Sequence, residues 1–169
     1  MGVSGLEITQ NYIEHLVDAY GNSVLRLAYT YLKNMPDAED IVQDVFIKVM
    51  ETKPDFRDET HEKAWLLRTA ANLCKNKLTL FWNKNKCSID DFAEVLSDNS
   101  NEKDDSFVLN AVLSLPPKYK APIYLYYYEG YSTAEISKIV EKPEATVRSL
   151  LSRARNKLKP ILKEEYDFE

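Results

Sequence analysis

Apolar residues recur at the spacing of an amphipathic helix along most of the N-terminal half of the chain. A first long helix is predicted from the apolar positions Leu16, Val17, Tyr20, Val24, Leu27, Ala28 and Tyr31. The segment NMPD at residues 34–37 ends that helix and starts a second, whose apolar face carries Ile41, Val42, Val45, Phe46 and Val49. Pro54 ends the second helix, and a third is predicted from about His61 to Phe81.

The periodicity disappears between Asn83 and Ser106, where the sequence is acidic, polar and poor in apolar residues. Because like charges repel along such a segment, it is predicted to be a flexible linker, with one helical turn around Phe92 to Leu96.

Helical patterns return after the linker. A short helix is predicted from Phe107 to Leu115, where two prolines follow, and a tyrosine-rich helix from Lys118 to Glu129, where Gly130 suits the C-terminus.

Two more helices complete the C-terminal half. Ser132 followed three residues later by Glu135 is the pattern of a capping box, which predicts that a helix starts there. The segment EKPE at residues 141–144 breaks that helix, and a last one is predicted from Thr146 to about Leu158.

These elements predict an all-α protein made of two small helical domains. The N-terminal domain, residues 1–85, holds three or four helices, and an acidic linker covers residues 86–106. The C-terminal domain, residues 107–163, holds four helices, and residues 164–169 form an acidic tail.

Charge is segregated along the chain. The net charge of −5 argues by itself against nucleic-acid binding. However, residues 61–87 carry 6 basic and 1 acidic side chains, and residues 108–160 carry 9 basic and 4 acidic ones. A phosphate backbone responds to potential within about 10 Å at physiological salt, so two basic blocks are compatible with DNA binding. Ordinary mixed surface charge explains them equally well at this level.

Several classes of protein are excluded by composition. No apolar run is long enough to span a membrane, and no secretory signal opens the chain, so a cytoplasmic protein is expected. Cys74, Cys87, His15 and His61 lack metal-ligand spacing, so no metal site and no cofactor are predicted. With four glycines and no nucleophile motif, neither a phosphate-binding loop nor a catalytic residue is predicted, and the chain is not expected to be an enzyme.

The last helix has two opposite faces. The apolar face carries Val147, Leu150, Leu151, Ala154 and Leu158, and the polar face carries Arg148, Ser149, Ser152, Arg153, Asn156 and Lys159. Arginine can bond guanine in bidentate fashion, and a short helix with a short turn comes directly before. This is the layout of a helix-turn-helix whose second helix enters the major groove. A solvated basic helix at the end of an α-hairpin is the alternative.

The third helix carries a polar stripe of Arg68, Asn72, Lys75, Asn76, Thr79 and Asn83, with Trp65 on the same side. Amide and basic side chains beside an aromatic ring can hold single-stranded nucleic acid. The ring stacks on a nucleobase, and the polar side chains bond the edges of the nucleobases. An ordinary core helix with a polar outer side explains the stripe equally well.

The outer face of the second helix carries Asp40, Gln43, Asp44, Ile47 and Glu51. An isoleucine exposed among carboxylates suggests a protein-binding surface that looks away from nucleic acid.

Three motifs in order carry a family resemblance. DAEDIVQDVF (residues 37–46) resembles the polymerase-binding helix of bacterial sigma factors, in their region 2. AWLLRTAANLCKNKL (residues 64–78) resembles the promoter-melting helix of the extracytoplasmic-function (ECF) group. The segment from Leu115 to Leu158 resembles region 4 of the same group, which recognises the −35 element. The resemblance implies a sigma factor that directs core RNA polymerase to promoters and helps to open them, in a stress or envelope response.

The resemblance also implies roles for individual residues. The positions that match the contact with the polymerase β′ clamp helices are Asp40, Gln43, Asp44 and Ile47. The resemblance places Phe56 beside a pocket for a flipped base and matches Asn72 to a base-contacting asparagine; the polar stripe adds Trp65, Arg68, Lys75 and Asn76 to the predicted −10 contacts. It matches Arg148, Ser149 and Arg153 to readers of the −35 major groove, and Thr146, Ser152 and Arg155 complete the predicted −35 contacts. Many relatives have a basic residue where this chain has Leu150, which the helical pattern places in the core.

The resemblance implies three partners: core RNA polymerase, promoter DNA and a membrane-bound anti-sigma factor. The implied contacts on the polymerase are its β′ clamp helices and its β flap. No small-molecule substrate is implied. A stand-alone helix-turn-helix regulator is the alternative, and it explains residues 132–158 but not the motif at residues 37–46.

Overall fold

The computed structural model describes residues 10–85 and 106–162. Every regular element among them is an α-helix, which confirms the all-α prediction. In chain order the helices are α1 (Gln10–Leu32), α2 (Met35–Thr52), α3 (Glu59–Asn85), α4 (Ser106–Leu113), α5 (Pro117–Tyr127), α6 (Thr133–Val140) and α7 (Glu144–Leu162). The predicted helical turn at residues 92–96, Cys87 and the acidic tail lie outside the described residues.

The described residues form two compact units, divided between Lys77 and Leu78 within α3. None of the described helices is both long enough and apolar enough to cross a membrane. Two predicted boundaries are wrong by two to four residues: α3 continues to Asn85 rather than ending at Phe81, and α7 begins at Glu144 rather than at Thr146. The early start of α7 follows from its first turn, where the carbonyl of Pro143 already accepts the N–H of Val147 at 3.0 Å.

The turn between α1 and α2 sets the direction of the second helix. Lys33 adopts a left-handed backbone conformation (φ 50°), which ends α1. The side-chain oxygen of Asn34 then accepts the N–H of Asp37 at 2.9 Å and caps α2, with Pro36 in the first turn. The two helices pack on each other through buried apolar residues, including Leu27 and Val45.

A buried carboxylate joins α1 to α3. Glu62 is only 8% exposed, and its Oε2 accepts a hydrogen bond from the hydroxyl of Tyr12 at 2.8 Å. Tyr20, two turns further along α1, also hydrogen-bonds Glu62. Burial, together with the nearby carboxylate charge, raises the pKa of Tyr20 to about 12 and the pKa of Tyr12 still further above its ordinary value. Both hydroxyls therefore stay protonated, so they can satisfy the carboxylate that would otherwise be costly to bury.

The second unit is built around α7. Helices α4, α5 and α6 all pack on α7, and the buried face of α7 carries Val147, Leu150, Leu151, Ala154 and Leu158. Gly130 (φ 75°) turns the chain between α5 and α6, and the N–H of Tyr131 returns to the carbonyl of Leu125 at 3.0 Å. At the start of α6, Ser132 and Glu135 form the predicted capping box, in which each side chain accepts the other's backbone N–H.

Replacing Lys53 by glycine should stabilise the protein by about 0.5–1 kcal/mol. Lys53 follows the last turn of α2 with φ 49°, a left-handed conformation that costs a residue with a Cβ atom more than it costs glycine. Urea unfolding followed by circular dichroism measures the change. Lys48→Gly is the matched control, because Lys48 is an exposed lysine inside the same helix and should lose about 1 kcal/mol. A loss of stability in both variants would contradict the prediction.

Candidate nucleic-acid and polymerase interfaces

The outer face of α2 is exposed, as the helical pattern predicts. The residues Asp40, Gln43, Asp44, Ile47 and Glu51 all face solvent, and Ile47 is 44% exposed. Met50, one turn from Ile47, is 47% exposed and extends the apolar part of this surface. The opposite side of α2 is buried, so the surface stands on a fixed helix. We call this surface, including Met50, the acidic face of α2.

The predicted polar stripe lies on one side of α3. Arg68 and Asn76 are exposed, whereas Trp65, Asn72 and Lys75 are partly buried. The opposite side carries the fully buried residues Leu66, Leu67, Ala70, Ala71 and Cys74. The stripe is therefore held by a core helix, in agreement with both interpretations of the sequence.

One ion pair and one buried thiol lie elsewhere on α3. Lys77 pairs with Asp37, at the start of α2, at 3.2 Å, and both side chains are more than a third exposed, so the pair contributes little stability. Burial raises the pKa of the Cys74 thiol to about 12. Cys74 is therefore a packed core residue and not a nucleophile.

The loop between α2 and α3 carries Phe56, whose ring is buried to 7% exposure. Its ring contacts the rings of His61 and Trp65 edge to face, each at 5.7 Å between centroids. Phe56 thus forms part of a small aromatic cluster at the end of the polar stripe. Its position beside a base pocket stays a prediction. We call residues 53–58 the aromatic loop.

The helix-turn-helix is formed by α6 and α7. The polar face of α7 is exposed at Arg148, Ser149, Ser152, Arg153, Asn156 and Lys159. Leu150 is 5% exposed, so it belongs to the core, as the helical pattern predicts. Thr146 is exposed in the first turn of α7 rather than at its first residue.

A short chain of polar contacts orients Arg148, and the sequence pattern gave no sign of it. The Thr133 hydroxyl, at the start of α6, donates to Glu144 Oε1 at 2.8 Å. The same Glu144 oxygen pairs with Arg148 Nη1 at 3.0 Å, one turn further along α7. The guanidinium is still exposed, so it can leave Glu144 for a base or a phosphate.

Tyrosines of α5 support the two cations at the flanks of α7. Arg155 Nε donates to the Tyr127 hydroxyl at 2.7 Å, and the guanidinium lies 5.5 Å from the ring centre of Tyr126. On the other flank, Lys157 Nζ lies 5.6 Å from the ring centre of Tyr119. The tyrosine-rich composition of α5 was the only signal in the sequence for these contacts.

No group of three or more histidine, cysteine, aspartate or glutamate side chains within residues 10–85 and 106–162 is placed to hold a metal ion.

Comparison with protein families gives two matches in chain order. The family described as Sigma-70 region 2 matches residues 16–80, which include α2, the aromatic loop and most of α3. The family described as Sigma-70, region 4 matches residues 108–158, which include the helix-turn-helix.

Two curated relatives match over most of their length. The ECF RNA polymerase sigma-E factor of Escherichia coli (strain K12) is 31% identical, with 88% of this chain and 87% of the relative covered. The ECF RNA polymerase sigma factor SigW of Bacillus subtilis is 26% identical, with 92% of this chain and 91% of the relative covered.

Among solved structures, the sigma factor RpoE of Bartonella quintana, in complex with the anti-sigma factor NepR, has a TM-score of 0.69 at 19% identity. The match covers 94% of this chain and 100% of RpoE. CnrH, in complex with the cytosolic domain of CnrY, has a TM-score of 0.64 at 21% identity, with 96% and 94% covered. The two family matches and the relatives above 30% identity show that this chain belongs to the ECF RNA polymerase sigma factors.

Proposed function

We propose that this chain binds core RNA polymerase through the acidic face of α2, opens promoters at α3 and recognises the −35 element with α7. The observation that carries the proposal is that both sigma regions match in order and that each places a solvent-exposed face of suitable chemistry on a packed helix. The chain itself performs no chemistry in this proposal, since polymerase makes the RNA. It acts in the cytoplasm, where polymerase and promoter DNA are found.

In this proposal each predicted domain has its own function. Residues 1–85 bind polymerase and the −10 strand, residues 86–106 connect the two modules, and residues 107–163 bind the −35 element. The region 2 match at residues 16–80 and the region 4 match at residues 108–158 lie within the two proposed modules. A stand-alone helix-turn-helix regulator is not favoured, because it leaves the match at residues 16–80 without a role.

An anti-sigma factor, anchored in the membrane, is the proposed regulator. The support is that, among its structural neighbours, RpoE was solved with the anti-sigma factor NepR and CnrH with the cytosolic domain of CnrY. The β flap of polymerase is the proposed contact of the C-terminal module.

Run-off transcription tests the function directly. Purified core polymerase with this chain should give defined transcripts from a panel of stress promoters, whereas core polymerase alone should give none. Gel filtration of the same mixture measures binding to the core enzyme separately. Failure of the chain to bind the core enzyme in that column would contradict the proposal whatever the promoter.

Replacing Asn72 by alanine should reduce open complex several-fold and leave closed complex nearly unchanged. Asn72 lies on the polar stripe of α3, where an amide can bond the edge of an unstacked base, and such a contact is made only after the strands separate. Permanganate footprinting of the holoenzyme on promoter DNA measures the unpaired thymines. Asn22→Ala, at an exposed asparagine of α1, is the control and should behave as the parent. Equal thymine reactivity in Asn72→Ala and the parent would remove Asn72 from the −10 contact.

A further inference from the structure

The start of α3 is capped by a reciprocal pair of side chains. Asp58 immediately precedes the helix, and its Oδ1 accepts the backbone N–H of His61 at 2.7 Å. In return, Nδ1 of His61 accepts the backbone N–H of Arg57 at 3.1 Å. Glutamate or glutamine is the usual third residue of a capping box, and here an imidazole takes that position and reaches one residue further back.

This cap fixes the aromatic loop to the helix. Arg57 and Asp58 are the last two residues of the loop, and both are tied to His61 by hydrogen bonds. Phe56 precedes them, and its ring stands edge to face on the same imidazole, at an interplanar angle of 81°. The ring of Phe56 also contacts Trp65, one turn along α3. His61 therefore contacts three consecutive residues of the loop that is proposed to border the −10 base.

The arrangement requires an uncharged imidazole. A neutral ring offers one nitrogen as an acceptor, but a protonated ring has an N–H on both nitrogens. Protonation would place the ring N–H against the Arg57 N–H, and the hydrogen bond would be lost.

We propose that His61 is a positioning residue for promoter opening: its neutral imidazole holds the turn at Arg57 and Asp58 and the ring of Phe56 in the geometry that receives the unpaired −10 strand. The inference rests on the proposed function of the aromatic loop. It assigns no contact between His61 and DNA.

Three variants of the full chain test the proposal. In His61→Gln, the amide oxygen can still accept the Arg57 N–H but does not take up a proton. In His61→Ala, the acceptor and the ring are both removed. His15→Gln, at the other histidine of the chain, is the matched control, since His15 is exposed on α1. Thermal unfolding of each variant checks that the fold is kept.

Open complex is measured by permanganate reactivity with holoenzyme at about pH 8, with the same core polymerase throughout. We expect His61→Gln and His15→Gln to match the parent and His61→Ala to give about threefold to tenfold less open complex. Full activity of His61→Ala would overturn the proposal, and so would a loss in His61→Gln as large as that in His61→Ala.

Amide hydrogen exchange of Arg57 in the free protein separates this inference from the proposed function. At one pH for all variants, exchange should accelerate in His61→Ala but not in His61→Gln. If exchange behaves in this way while open complex does not change, the cap exists but does not position the loop for opening, and the proposal is wrong. If neither His61→Ala nor Asn72→Ala affects opening, it is the proposed −10 function of this surface that fails.

Discussion

Replacing Asp44 by arginine together with Ile47 by alanine should weaken binding to core RNA polymerase by roughly 30-fold or more, about 2 kcal/mol. Both side chains are exposed on the acidic face of α2, so neither contributes to the core of the module. The first change turns an attractive charge into a repulsive one, and the second removes an apolar side chain that is desolvated only on binding. A competition assay against labelled parent gives the ratio of dissociation constants, and circular dichroism should report unchanged helix content.

The matched control for this pair lies on α1. Val17 is 40% exposed and Asp18 beside it is exposed, so Val17→Ala with Asp18→Arg makes the same chemical change on another surface. This double variant should bind core polymerase as the parent does. Equal losses in the two double variants would mean that total charge, and not the acidic face of α2, controls binding.

Periodicity was a good guide where one face of a helix is buried and the other is solvated. It predicted the buried and exposed sides of α2 and α7, because burial of apolar side chains is the dominant constraint on such helices. The same constraint placed Leu150 in the core. The capping box of Ser132 and Glu135 was also predicted, because it depends only on local spacing.

Contacts between distant residues could not be predicted in this way. Lys120 lies in a basic block that suggested a charged surface, yet it is 1% exposed within α5. The support of Arg155 by Tyr126 and Tyr127 depends on how α5 crosses α7, which no local pattern encodes. The cap formed by His61 was missed for another reason: histidine is not a usual residue at the third position of a capping box.

The exposure and the contacts of its cations suggest that different residues of α7 contact base edges and phosphates. The exposed cations of its polar face, such as Arg148 and Arg153, project away from the core, where side chains of a recognition helix meet base edges. The flanking cations Arg155 and Lys157 rest on tyrosine rings of α5, which limits their conformational freedom. A restricted cation loses less entropy when it binds a phosphate, so the flanks are suited to the DNA backbone.

Replacing Arg148 by alanine should therefore flatten discrimination between −35 sequences. The loss should be about 1–3 kcal/mol on the preferred promoter and much smaller on promoters already changed at one or two base pairs, because those base pairs are the ones that the arginine contacts. Arg148→Lys separates charge from geometry. Lysine keeps the positive charge and can still pair with Glu144, but it lacks the fork that bonds guanine at two points. It should lose discrimination as well, while keeping more of the overall affinity than the alanine variant.

Lys157→Ala is the comparison within the same helix, since it also removes one positive charge. It should lower the affinity for all −35 variants by the same factor and reduce the slope of log affinity against log salt by about one. The measurement is binding of holoenzyme to a panel of promoters with single base changes in the −35 element, at two salt concentrations. If Arg148→Ala keeps the parent's ranking of these promoters and only shifts every affinity together, Arg148 contacts phosphate. The base contacts of α7 must then lie at other residues of its polar face, and Ser149 and Arg153 are the next to be replaced.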